Sequence, residues 1–105
     1  MILSTTNSIP GREISEITGI VRGSTVRARH VGRDFMAALK NIVGGEIEEY
    51  TQLQADAREQ ALQRMIKDAE KLNADAIIGV RIATAMVTRG AAEILVFGTA
   101  VKLKL

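Results

Sequence analysis

Arg33 and Asp34 are the pair of side chains in this 105-residue chain best placed to do chemistry. They follow Gly32 and open a short helix expected over Asp34–Val43. Asp34 can accept the free N–H groups of that helix's first turn. Arg33 can hold an anion there, helped by the positive end of the helix. Thr5, Thr6 and Asn7 add hydroxyl and amide groups, and Gly44-Gly45 allows a ligand close to the backbone. The same residues also have a plainer structural reading as a helix cap, an ion pair across a subunit boundary and a hinge between two helices. The double glycine lacks the trailing Lys-Ser/Thr of a phosphate-binding P-loop.

Other chemistries are thinly supplied. Soft metals select thiolate, thioether or imidazole. The chain has no Cys and one His, His30, which follows Arg27 and Arg29 in a cationic stretch. Met36, Met65 and Met86 fall at core-type positions, where Met usually packs. A symmetric assembly can gather several copies of His30 round an axis. Glu46, Glu48 and Glu49 offer oxygen to Mg²⁺ or Ca²⁺, although acids at that place equally favour a helix start. The candidate metal donors are therefore His30, Glu46 and Glu49. Ser4, Ser8, Ser15 and Ser24 sit in strand or turn contexts without a nucleophile-elbow pattern. Arg22, Arg27, Arg29 and Arg33 concentrate positive charge, but the net charge is only +2 and the aromatics are Phe35, Tyr50 and Phe97 alone. So few stacking groups argue against nucleic-acid readout.

The elements that must position these residues follow from periodicity. Tyr50, Leu53, Ala57, Ala61, Met65, Ala69 and Leu72 recur at spacings of three or four, the one-face period of a helix. Gln52, Asp56, Glu59, Gln63, Lys67 and Glu70 occupy the other side. The helix is expected to start near Glu46 and to stop at Asn73, a residue that accepts the left-handed conformation past a helix end. From Ala76 to Val87 the period becomes two, with neither parity properly polar. Thr88, Arg89 and Gly90 make a hairpin-like break before a second such strand over Ala91–Leu105. Ile2–Thr6 is a short strand, and Asn7, Ser8, Pro10 and Gly11 form a turn. Arg12–Arg29 is a long irregular strand with Gly19 and Gly23 marking a bulge or bend.

The order is β-β-α-α-β-β in one domain over residues 1–105. It predicts an α+β fold: a small, mainly antiparallel sheet with helices on one face. Two helices cover one face and nothing remains for the other, so the exposed apolar side predicts a homo-oligomer, a ring or a dimer, the plainer alternative being a monomer with a modestly apolar outer face. The absence of Cys fits a reducing compartment. No signal-peptide-like start and no run of about 18 apolar residues is present.

Ser4-Thr5-Thr6, Gly23, Arg33-Asp34-Phe35, Ile42-Val43-Gly44-Gly45, Tyr50, Ala57-Arg58, Ala74-Asp75-Ala76, Gly79 and Gly98-Thr99-Ala100-Val101 stand in that order along the chain. In combination they resemble the YbjQ-like family of small bacterial and archaeal proteins. The resemblance implies a compact α+β subunit, a homopentamer and a cytoplasmic location. It also brings a heavy-metal-binding label, given by analogy with small metal-handling domains. The expected function is a non-enzymatic, homo-oligomeric binding or scaffold protein for a small ligand or metal ion at a subunit interface or central axis. Its ligand-facing residues are Thr5, Thr6, Arg33, Asp34, Gly44 and Gly45. The alternative is an enzyme with an interfacial Arg33/Asp34 site.

Overall fold

The computed structural model describes residues 1–28, 48–88 and 91–105. Its elements are β1 (Ile2–Leu3), β2 (Ile14–Ala28), α1 (Glu48–Lys71), β3 (Ala76–Thr88) and β4 (Ala91–Leu103). The four strands form one sheet in the order β1-β3-β4-β2. β4 is antiparallel to both neighbours, whereas β1 runs parallel to β3. The α+β class stands as expected, with a mixed sheet. The expected short helix over Asp34–Val43, the Gly44-Gly45 break, Glu46, Arg89 and Gly90 all lie outside the described residues.

The helical stripe packs as its spacing predicts. Ala57, Ala61, Met65 and Ala69, each four residues apart, are at most 1% exposed. They meet Val21, Ile77, Val80, Ile94, Val96 and Ala100 from the sheet in one core. Their small size lets the helix lie close. A Cβ built on Gly23 of β2 would run into Ala61 O and Met65 N, so helix backbone rests on bare strand backbone there. Gly23 is thus a contact point. The irregularities of β2 fall earlier, between Ile14 and Glu16 and between Ile17 and Gly19. Beside Gly23, buried Thr25 donates its Oγ1 proton to Ala57 O at 3.1 Å, which satisfies the hydroxyl and ties strand to helix.

Asn73, at φ 56°, ends α1 in the left-handed conformation. Asn73 N–H donates to Glu70 O at 3.0 Å and Ala74 N–H to Ala69 O at 3.2 Å, the paired bonds of a Schellman stop. That stop turns the chain outward early. Leu72, expected on the buried stripe, is 39% exposed and lies over Gly19 instead. Asp75 then ties β1 to β4. Its N–H donates to Val101 O at 2.8 Å, its carbonyl accepts from Ile2 N–H, and its Oδ2 accepts Leu103 N–H at 2.8 Å.

β1 is shorter than the Ile2–Thr6 strand expected, because Ser4 and Thr6 fold into a turn held by their own hydroxyls. Thr6 N–H donates to Ser4 Oγ at 3.1 Å, and Thr6 Oγ1 donates to Ser8 O at 2.6 Å. The turn leads onto the sheet face opposite α1. There Ile9, Ile14 and Ile78 pack against buried Ala76, Val101 and Leu103. The expectation that nothing covers the second face is therefore corrected at this end of the sheet. The other end differs. Along β3, Ala76, Ile77 and Val80 are buried, and every residue from Arg81 to Thr88 is exposed.

Candidate functional site

The N-terminal turn and the middle of β3 make one polar junction. Ser4 N–H donates to Ile77 O at 2.9 Å, Gly79 N–H to Thr6 O at 2.9 Å and Val80 N–H to Ser4 O at 3.0 Å. β3 bulges between Ile78 and Arg81 to make this possible. Gly79 takes φ 60° there, a conformation that costs glycine little and a side-chain-bearing residue more. The bulge aims Arg81 back at the turn. Its Nη1 donates to Thr5 O at 2.9 Å and to Val80 O at 2.8 Å.

Thr5 and Thr6, two of the expected ligand-facing residues, therefore sit beside a guanidinium. Thr5 contributes its carbonyl to Arg81, and the Thr6 hydroxyl is committed to Ser8 O and to a hydrogen bond with Ser4 Oγ. The junction is exposed and borders the stretch of β3 that is open to water. A cation and hydroxyls at such a rim suit a polar or anionic group. Arg33, Asp34, Gly44, Gly45, His30 and Glu46 lie outside the described residues. Glu49 falls in the first turn of α1, and its side chain is likewise outside those described. Sequence reasoning misses Arg81, although an arginine within the apolar run Ile77–Val87 is a signal that could have found it.

For a soft metal the donor chemistry does not fit among the described residues. No group of three or more His, Cys, Asp or Glu is disposed there to hold a metal ion. Met65 is fully buried in the core and Met86 is 78% exposed on β3. The whole chain contributes no thiolate and one imidazole. Among the described residues no helix is long and apolar enough to cross a membrane.

Among the described residues, a mixed four-stranded sheet with one long helix on a face defines a small α+β protein. The chain belongs to the YbjQ-like family, whose description reads "Putative heavy-metal-binding" and whose pattern matches residues 1–104. It is 59% identical over 104 residues to a UPF0145 protein of Archaeoglobus fulgidus, covering 99% of this chain and 96% of that one. It is 58% identical to a UPF0145 protein of Colwellia psychrerythraea, covering 99% of each. Its fold resembles a crystal structure of a protein of unknown function from the DUF74 family of Pediococcus pentosaceus. That likeness has a TM-score of 0.66 at 18% identity and covers 99% of this chain and 98% of that one.

Proposed function

We infer that the chain works as one subunit of a homo-oligomeric scaffold that binds a small ligand or ion where subunits meet. The observation that carries this reading is the outer half of β3. Arg81–Thr88 is exposed on both faces, and Ile82, Met86 and Val87 are at least half exposed. β4 pairs with one edge of this segment, and among the described residues no strand pairs with its other edge. Apolar side chains beside unpaired strand backbone form a template for a second chain. A neighbouring copy that buried this segment would bring its own surface against the Thr5–Arg81 rim.

The family resemblance makes five copies the expected number and the cytoplasm the expected compartment. The candidate ligand-facing residues are Thr5, Thr6, Arg33, Asp34, Gly44 and Gly45. His30, Glu46 and Glu49 are the candidate donors for an ion at an axis. Light scattering coupled to size exclusion tests the assembly at micromolar protein. The expected result is a particle several times the 11.4 kDa chain mass, reduced toward the chain mass by Ile82→Glu with Met86→Glu. A parent particle of 11.4 kDa overturns the reading.

A further inference from the structure

A second surface lies away from the open strand, where α1 overhangs the outer edge of β2. It is a groove of about 620 Å³ lined by Ile20, Arg22, Arg64, Lys67, Asp68, Lys71 and Leu72. Two of these residues are already committed to the strand. Arg64 Nη1 donates to Ser24 O at 2.5 Å, and Asp68 Oδ2 accepts Arg22 N–H at 3.2 Å. They fix the helix to the strand edge and so set the groove's width. Leu72, seated over Gly19, closes one end.

The charge there is unbalanced. Arg64, Lys67 and Lys71 of α1 line the groove beside one carboxylate, Asp68, and Arg22 stands at its strand-side edge. A preference for bases near a helix C-terminus explains Lys71 in the last turn. It does not explain Arg64 two turns earlier, or Arg22 on a strand far away in sequence. Lys67 and Lys71 stand one helical turn apart on one side of α1, roughly 5–6 Å between Cβ atoms. Bases aligned on α1, with Arg22 at the strand edge beside them, focus a positive potential over the groove. The groove's volume falls in the range of small-molecule sites.

We propose that the groove between α1 and the β2 edge binds a small, multiply charged phosphate compound, held by Lys67 and Lys71 with Arg22 at the rim. The register of β2 directs Arg22 to the face opposite α1, at the strand's outer edge, so it guards the groove from the side. Leu72, 39% exposed, gives the ligand an apolar wall, and Ile20, 74% exposed, stands with Arg22 at the rim. This site is independent of the assembly proposed above.

Calorimetric titration of the full chain with inorganic pyrophosphate tests it, alongside the double variant Lys67→Glu/Lys71→Glu. Both lysines are exposed, so the variant retains the parent's circular dichroism. The expected result is saturable binding by the parent, weakened about tenfold or more in the variant. Binding should also weaken as salt rises from roughly 0.05 to 0.2 M. Backbone amide shifts on pyrophosphate addition should cluster at Arg22, Lys67 and Lys71. The proposal is overturned by an absence of saturable binding at millimolar pyrophosphate, or by equal affinity in the variant. A single-stranded oligonucleotide that binds far more tightly through the same lysines also overturns it, in favour of a nucleic-acid surface.

Discussion

Replacing Gly23 by alanine adds one methyl group at the closest approach of α1 to the sheet. Ordinary Cβ contacts begin at 3.4 Å; the added Cβ would lie 2.9 Å from Arg64 Cβ and nearer still to Ala61 O and Met65 N. The obstructing atoms are mostly helix backbone, which cannot rotate aside as a side-chain end can. The helix must lift by about 1 Å, which forfeits a quarter to a half of the dispersion attraction across the gap. Overpacking of this kind costs about 1–3 kcal/mol, and the rigid neighbours place this site at the upper end. Alanine returns about 0.4–1 kcal/mol by restricting the unfolded chain. The net loss is about 2–3 kcal/mol, or a fall of roughly 10–20 °C in melting temperature for a chain of this size. Gly11→Ala is the control. Gly11 has φ 76° and nothing within 4 Å of an added Cβ, so it carries only the conformational cost of about 1 kcal/mol. Thermal melts of both variants at one protein concentration decide the matter. If Gly23→Ala melts no lower than Gly11→Ala, the helix does not rest on Gly23.

Four further outcomes follow from single contacts. Asp75→Ala leaves Leu103 N–H without its carboxylate acceptor and should lower stability by about 1 kcal/mol, the modest end for a contact half in water; hydrogen exchange at Leu103 should quicken in parallel. Thr25→Val removes the buried hydroxyl's bond to Ala57 O and should cost about 1 kcal/mol in denaturant unfolding, with an unchanged m-value. Lys104→Ala breaks the 3.4 Å ion pair with Glu13, whose side chains are 67% and 72% exposed, and should shift stability by less than about 0.5 kcal/mol. Zn²⁺, Cu²⁺ and Ni²⁺ should give no melting shift that survives His30→Ala, since His30 is the chain's sole imidazole and thiolates are absent; a shift that persists in the variant refutes imidazole ligation and points to oxygen donors.

Periodicity reports the faces of one element at a time, which sets what could be read in advance. Ala57, Ala61, Met65 and Ala69 declare a buried stripe by spacing alone, and Asn73 declares its stop. Gly23 could be flagged as special but not interpreted, because a bulge and a helix contact both call for the absence of Cβ. The parallel pairing of β1 with β3 joins residues more than seventy positions apart, and no local pattern encodes it. Leu72 fits the helical period but falls where the Schellman turn has already begun to divert the chain. The Arg81 rim and the basic groove were hidden for a similar reason. Each gathers residues from distant segments, Thr5 with Arg81 by strand pairing and Arg22 with Lys67 by packing of the helix on the sheet.

The bonds from Arg64 and Asp68 to the β2 edge bear on how far a chain like this can polymerise. Main-chain growth from subunit to subunit into a fibril needs a receptive strand on each side of the sheet. On the β2 side, Arg22 N–H and Ser24 C=O are already taken by α1, so an incoming strand would have to displace a helix side chain at each. On the β3 side, no strand among the described residues pairs with the outer edge of Arg81–Thr88. A sheet with one receptive margin and one obstructed at its centre accepts a neighbour in one direction and resists endless extension. Loss of Arg64 and Asp68 would remove that stop together with two helix-to-strand bonds, and should appear as insoluble protein as well as a lower melting temperature.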